Sequence, residues 1–287
     1  MYKSKGVGGR LTLIFMTGLA AHTVAAGSLF GGKQHYIKKI HHCKHEVAAG
    51  NFVDDKPHPW KDEPLAPSYR YVAAISGGPV WATGGDQKTI QIQPVDIKTF
   101  TADKPTSTVG EVAIFLGLQH FFYPRSEGQL GIEVAAASDA RLSGQIWDDE
   151  NPIFNNHTYS YKVNHTHVAV KGKWLNQVAN FNLVTPYLSA SLGVAFNRAS
   201  GFCNTPTIPE AEMINNFTTR TTNSFTYTLG VGIQRTVWNN IQVGVGYEFA
   251  DWGQSNLAMA PEQIGGGGLS LDHLYTNGLM FNLTYVA

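Results

Sequence analysis

Residues 224–235 read Ser-Phe-Thr-Tyr-Thr-Leu-Gly-Val-Gly-Ile-Gln-Arg, in which apolar side chains alternate with small or polar ones. Successive side chains of a β-strand point to opposite faces, so a period of two predicts a strand with one apolar face. The apolar face of this stretch consists of Phe225, Tyr227, Leu229, Val231 and Ile233.

Seven further segments carry the same period, and together they predict an all-β protein of eight strands. Residues 159–172 are the least regular, because Tyr161 and Val163 occupy odd positions whereas Val168 and Val170 occupy even ones. A β-bulge would explain this switch of the apolar face. The other segments are 69–82, 109–120, 129–137, 184–197, 241–250 and 278–285.

Short and long connections alternate between these segments. The links near 122–128, 173–183 and 236–240 are short, whereas those near 83–107, 138–158, 199–223 and 251–272 are long. This alternation is typical of antiparallel up-and-down transmembrane β-barrels, which have tight periplasmic turns and long outer loops. We therefore predict such a barrel in an outer membrane, with four long polar loops that are not expected to pack a core.

The face opposite the apolar one holds glycine, alanine, serine, threonine and a few charged residues. Small side chains suit the narrow interior of an eight-stranded barrel, and buried carboxylates require partners. The predicted ionic network of the lumen consists of Arg70, Glu111, Glu133, Lys162 and Glu248. We interpret it as structural filling of the lumen, and the functional alternative is a very small pore.

Aromatic residues cluster at the ends of the predicted strands, as in the interfacial girdles of membrane barrels. The predicted girdle residues are Tyr69, Tyr71, Phe121, Phe122, Tyr123, Trp174, Trp238, Phe249, Trp252 and Tyr275.

The N-terminal region differs from the rest of the chain. Residues 1–26 carry a basic start, the apolar run 11–20 and small residues up to Ala26, which is the pattern of a cleavable signal peptide. The apolar run is shorter than a spanning helix, so an uncleaved anchor is disfavoured. Residues 27–67 are rich in His and Lys and then in Pro, and predict a periplasmic extension before a barrel at 68–287.

Few residues suggest catalysis or metal binding. His41, His42, Cys43 and His45 lack a recognised ligand spacing, so we interpret them as a solvated basic segment. A bond between Cys43 and Cys203 is not expected, because the predicted topology places them on opposite sides of the membrane.

His165-Thr166-His167 is the one arrangement that suggests an enzyme, and we interpret the pair as ordinary strand histidines. The prediction contains no cofactor, metal or catalytic residue. Equal numbers of basic and acidic residues, 21 of each, also make nucleic acid an unexpected partner.

Two segments resemble the opacity-type, OmpA-like outer-membrane barrels: Pro186-Tyr-Leu-Ser-Ala-Ser-Leu-Gly-Val-Ala-Phe-Asn197 and Gly244-Val-Gly-Tyr-Glu-Phe-Ala-Asp-Trp-Gly253. The resemblance implies a barrel that the barrel-assembly machinery inserts, surrounded by outer-membrane lipids and lipopolysaccharide, with loops that contact host surfaces or phage. We expect a non-enzymatic surface protein. Two alternatives stay open: an outer-membrane enzyme that modifies lipid A or phospholipid, and a soluble periplasmic lipocalin-like binder.

Overall fold

A computed structural model describes residues 69–93, 96–123, 125–148, 150–177 and 183–287. In these ranges, no helix is long and apolar enough to cross a membrane. A single 3₁₀ turn, Pro152–Phe154, accompanies twelve strands in the described ranges. The strands are β1 Tyr69–Gly84, β2 Gln87–Gln93, β3 Asp96–Ala102, β4 Thr106–Tyr123, β5 Ser126–Asp148, β6 Asn155–Asn176, β7 Thr185–Pro206, β8 Arg220–Trp238, β9 Ile241–Asp251, β10 Ser255–Asn256, β11 Ser270–Leu271 and β12 Leu274–Val286.

Eight of these strands close into an antiparallel ring in the order β1-β4-β5-β6-β7-β8-β9-β12. Closure is made by β12 and β1, in which Leu283 pairs with Ile75 and Asn277 with Trp81. Each ring strand pairs with its neighbours along the chain, so the predicted up-and-down topology is confirmed. The hairpin β2-β3 joins the outer part of β5, where Phe100 pairs with Ile146.

The strands extend well beyond the predicted segments at the outer end. Most of the predicted loop 138–158 is strand, because β5 continues to Asp148 and β6 starts at Asn155. The predicted loop 83–107 contains the hairpin β2-β3, and β7 continues to Pro206. The sequence prediction ended these strands too early because their apolar residues change from the outward face to the inward face above the membrane. Strand β6 illustrates this change.

The inward face of β6 does not switch, and the bulge predicted for its apolar face is wrong. Odd-numbered residues from His157 to Ala169 are all buried, while Val168 and Val170 are exposed on the exterior. Apolar residues face outward where the strand contacts lipid and inward where it covers the outer core. The odd-numbered residues point inward along both parts, and only the environment of the strand changes. Bulges occur instead in neighbouring strands, at Ser138-Asp139 of β5 and at Gly201 of β7, whose φ of 64° suits glycine.

In the lipid-facing part of every ring strand, the apolar face points away from the barrel. Leu116, Val194 and Val245 are 61%, 50% and 36% exposed. On β7 the outward apolar residues run from Leu188 to Phe196, eight steps or about 26 Å of strand at roughly 3.3 Å per residue. With a strand tilt of about 40° this length covers about 20 Å of the ~25 Å apolar band of membrane barrels. A closed sheet with an apolar exterior is one of the two structures that satisfy all backbone polar groups in lipid.

The chain is therefore an outer-membrane β-barrel. A soluble lipocalin-like binder is excluded, since its apolar face would point inward around a ligand.

Aromatic side chains mark both edges of the apolar band. At the short-turn end Tyr69, Tyr71, Phe122, Trp174 and Trp238 are between 48% and 74% exposed. At the other edge Phe249 lies between Tyr227 and Tyr275, with ring centroids 6.3 and 6.0 Å away. Trp252 was predicted in this girdle, but its side chain is fully buried inside the barrel. It follows the end of β9, where the chain turns inward.

Candidate functional site

The centre of the lumen contains a buried ion triad on three strands. Lys171 Nζ of β6 lies 2.7 Å from Glu133 Oε2 of β5 and 3.1 Å from Glu248 Oε2 of β9. These side chains are at most 14% exposed, so the lysine compensates carboxylates that water does not solvate well. The triad cross-links opposite parts of the barrel wall.

Two of the five predicted network residues, Glu133 and Glu248, thus come together. Glu111 is buried nearby, but within the described residues it makes no salt bridge. Lys162 lies on the exterior, 3.7 Å from Asp139, because even-numbered residues of β6 point outward. Arg70 is exposed at the rim of the short-turn end, with its guanidinium 5.2 Å from the Phe121 ring centre.

The sequence prediction therefore placed Lys162 and Arg70 wrongly in the network and missed Lys171. Extending the odd-numbered inward face from Tyr159 through His167 would have found Lys171, because it shares their parity. The predicted switch of face hid this signal.

A chain of buried polar groups continues from the triad toward the outer end. His167 Nε2 lies 3.8 Å from Glu133 Oε1, and His167 Nδ1 lies 2.9 Å from His165 Nε2. His165 Nδ1 lies 2.7 Å from Asn197 Oδ1. The described structure thus contains one polar path from the middle of the membrane to the outer closure.

Asn197 fixes the direction of the hydrogen bonds at the end of this path. Its Nδ2 donates to the carbonyl oxygens of Trp252 and Gln254, at 2.7 and 2.9 Å. Carbonyl oxygens only accept, so the amide nitrogen must face them and Oδ1 must accept the His165 Nδ1 proton. The same amide therefore orients the histidine below it and holds the segment that carries Trp252.

Both histidines are inaccessible from outside. His165 is 0% and His167 1% exposed, and the His165 ring stacks on Trp252. A substrate in the outer leaflet cannot contact either ring. The geometry agrees with the interpretation of the pair as strand histidines, and their position gives no support to catalysis by them.

A hydrophobic core closes the outer end of the barrel above this polar path. Phe100 of β3 contacts Tyr159, Phe202 and Phe217 at ring-centroid distances between 5.3 and 6.3 Å. Residues from all four outer connections or their strand extensions contribute, so the prediction of loops without a core is wrong. The core includes Ile90, Phe100, Leu142, Ile146, Tyr159, Tyr161, Phe202, Phe217, Trp252, Leu257, Leu269, Leu271 and Leu274.

Next to the triad, toward the short-turn end, the lumen contains a cavity of about 50 Å³ that Lys171, Glu133 and Glu248 help to line. That volume accommodates a few water molecules. Lys173 lines it, with Nζ 2.5 Å from Gln234 Oε1 and 3.9 Å from the centre of the Tyr187 ring. Beyond this lining, Gln119 Nε2 donates to Glu127 Oε2 at 2.8 Å.

Among the described residues, one carboxylate–histidine pair is accessible. His273 Nδ1 lies 2.8 Å from Asp251 Oδ2, and the Asp251 Oδ1 atom accepts from the Gly253 amide at 2.8 Å. Asp251 is buried, whereas the His273 side chain is 56% exposed beside the ring of Tyr275. A carboxylate that orients one imidazole nitrogen leaves the other free to accept a proton. The sequence prediction did not identify this pair, because 22 residues separate its members.

No group of three or more His, Cys, Asp or Glu side chains within the described ranges has an arrangement that could hold a metal ion. The His-rich segment 35–45, the predicted signal peptide and Cys43 lie outside these ranges. Cys203 is exposed on β7.

No family model and no curated protein matches the chain. Among solved structures, Neisserial surface protein A is 11% identical, with a TM-score of 0.36 over 76% of this chain and 96% of that one. The Escherichia coli outer-membrane protease OmpT is 10% identical, with a TM-score of 0.40 over 78% and 99%. The Yersinia pestis attachment invasion locus protein Ail is 14% identical, with a TM-score of 0.32 over 76% and 99%.

The eight-stranded ring agrees with the resemblance to opacity-type barrels. The outward apolar band, and not these remote similarities, identifies the chain as a membrane barrel.

Proposed function

We propose that the protein is a sealed, non-enzymatic outer-membrane barrel that presents a rigid β-sheet surface to partners outside the cell. The observation that carries this proposal is the hydrophobic core at the outer end. This core packs the outer connections against each other and against Trp252. A pore would instead require an open, polar path at this end. A packed core instead supplies the fixed scaffold that recognition surfaces need.

The recognition surface is the outer sheet, formed by the hairpin β2-β3 and the extensions of β5, β6 and β7. Its tip joins two connections: Thr207 N donates to Asn156 O at 2.7 Å, and His157 Nε2 lies 2.8 Å from Glu212 O. The tip carries exposed apolar side chains, which gain most free energy when a partner removes them from water. They are Ile153, Phe154, Ile208 and Met213, between 40% and 84% exposed.

Cell binding tests the recognition role. Bacteria that display the wild-type protein are compared, on epithelial cells and with phage, against bacteria that display a variant with Ile153, Phe154 and Met213 changed to serine. We expect at least a fivefold loss of binding to one of these partners. The control variant has the exposed residues Thr221 and Asn223 of β8 changed to alanine, because they lie outside the tip of the outer sheet. Equal binding by wild-type and barrel-free cells would refute the role.

Conductance tests the seal. Purified barrel in a planar bilayer should give no channel steps, whereas replacing Trp252 and Phe100 with alanine should produce small ones. Regular steps from the wild-type protein would show that the outer core is open in the membrane.

A second candidate function is hydrolysis, which the Asp251–His273 pair favours because it is oriented, accessible and next to the outer leaflet. Within the described residues, however, no serine, threonine or cysteine side chain hydrogen-bonds to His273. Replacing His273 with alanine should leave the lipid profile and the cleavage of surface peptides unchanged. A change in either would support an enzyme.

A further inference from the structure

Three basic side chains share one patch on the exterior of β5, β6 and β7. Arg141 and Lys162 are directly opposite each other in the β5-β6 ladder, and Arg198 is opposite Asn164 in the β6-β7 ladder. All three basic residues are exposed. Neighbouring strands lie about 4.8 Å apart, so these side chains can converge on one ligand. We call Arg141, Lys162 and Arg198 the basic wall patch.

The patch has more positive charge than its surroundings neutralise. Asp139 is the carboxylate beside it, with Oδ2 3.7 Å from Lys162 Nζ, and it also accepts from Asn164 Nδ2 at 3.4 Å. Arg141 and Arg198 form no salt bridge with any described residue. Like charges directly opposite each other destabilise a sheet, so the Arg141–Lys162 pair is unfavourable in isolation. An anion bound between Arg141 and Lys162 would interact favourably with both side chains and offset their mutual repulsion.

The height of the patch identifies the anion. Arg198 is the next outward residue after Phe196, which ends the apolar band on β7. Lys162 lies one outward position beyond Asn164, the partner of Arg198. The patch therefore starts at the edge of the band and extends four residues along the strand, about 13 Å at about 3.3 Å per residue, to the level of Lys162. The headgroups of the outer leaflet lie at this height.

We propose that the basic wall patch binds the phosphate groups of a lipopolysaccharide molecule in the outer leaflet, with its acyl chains along the apolar face of β6 and β7. Arginine side chains bind phosphate oxygens through paired N–H groups, and Lys162 adds a point charge. Long basic side chains at the edge of a membrane also extend their charged ends to headgroup level. This lipid site is independent of the partner that the outer sheet recognises.

Thermal unfolding of the purified barrel in zwitterionic detergent tests the proposal, with lipid A, enzymatically dephosphorylated lipid A or inorganic phosphate added. We expect lipid A to raise the unfolding temperature more than its dephosphorylated form, and 0.5 M NaCl to abolish that difference. Replacing Arg141, Lys162 and Arg198 with glutamine should weaken lipid A binding by about fivefold per charge removed. Arg235→Gln, at the opposite edge of the barrel, is the matched control and should change nothing.

Each outcome decides between sources of the ligand. Equal effects of the two lipid forms on the wild-type barrel would overturn the proposal without any variant. Equal effects of inorganic phosphate and lipid A would show a site for free anions and would also overturn it. Heat-modifiable gel mobility confirms that the triple variant is folded. If it does not fold, the single variant Arg198→Gln, measured against Arg235→Gln, must show the weaker binding.

Discussion

The ring of His165 stacks on that of Trp252, with centroids 4.2 Å apart and planes inclined by 2°. This contact joins the polar lumen to the hydrophobic core above it, since His165 belongs to the buried polar path and Trp252 to the outer core. The polar interior of the barrel therefore meets the hydrophobic core that closes its outer end at this one pair of rings.

Replacing Trp252 with alanine should strongly destabilise the barrel. The side chain is fully buried, and removing a large aromatic side chain from a core costs about 3–5 kcal/mol of unfolding free energy. Urea unfolding in lipid vesicles measures the change. Trp238→Ala is the control, because Trp238 is 68% exposed and its loss should cost far less. Equal losses for the two variants would contradict a buried Trp252.

Replacing Lys171 with glutamine should cost about 3–5 kcal/mol, because it leaves Glu133 and Glu248 buried without their common cation. The double variant Lys171→Gln with Glu133→Gln should recover part of the loss, since it removes one of the uncompensated carboxylates. Unfolding midpoints of both variants give the comparison. Lys162→Gln serves as control, because an exposed ion pair contributes at most about 1 kcal/mol.

Adjacent residues of β7 should report opposite environments. A spin label attached at Val194→Cys should relax faster in the presence of lipid-soluble oxygen, because Val194 is 50% exposed on the apolar exterior. Ala195 is 0% exposed inside the barrel, so a label there should be shielded or should disturb folding. Cys43 and Cys203 are first changed to alanine. A stronger effect of oxygen on a label at residue 195 than at residue 194 would refute the assignment of the apolar face to the exterior.

The outer hairpin should depend on pH through Asp148, which lies above the membrane. Burial raises the pKa of Asp148, but hydrogen bonds from Lys98 and Asn156 lower it more, so the net pKa lies below its usual value. A carboxylate with a lowered folded pKa contributes stability above its unfolded pKa, about 3.9, and loses it as the pH falls through the folded value.

We therefore expect the β3 amides that pair with the end of β5 to lose protection against exchange below about pH 4, after correction for the intrinsic pH dependence of amide exchange. Asp148→Asn should remove that dependence while leaving the rest of the barrel unchanged. The same acid dependence in the variant would assign it to another group.

The number of ring strands, their topology and the outward apolar face were predictable from the sequence, because each is encoded in neighbouring residues. The alternation in 224–235 is enough to orient β8, and connection lengths order the ring. The inner aromatic girdle, with Trp174 and Trp238, also follows from position along the strand. These properties are local, since lipid outside and a narrow lumen inside impose the same two faces on every strand.

The sequence alone did not determine the ion triad, the buried Trp252 or the core formed by the outer connections. Lys171 meets Glu248 only because the ring brings β6 and β9 to opposite sides of one narrow lumen. Phe100 and Phe217 meet because the hairpin β2-β3 adds to β5 outside the ring. Such contacts depend on the closure and shear of the barrel, which place residues far apart in the chain side by side. Local alternation gives the side to which a residue points, and only the closed barrel decides which residue it meets there.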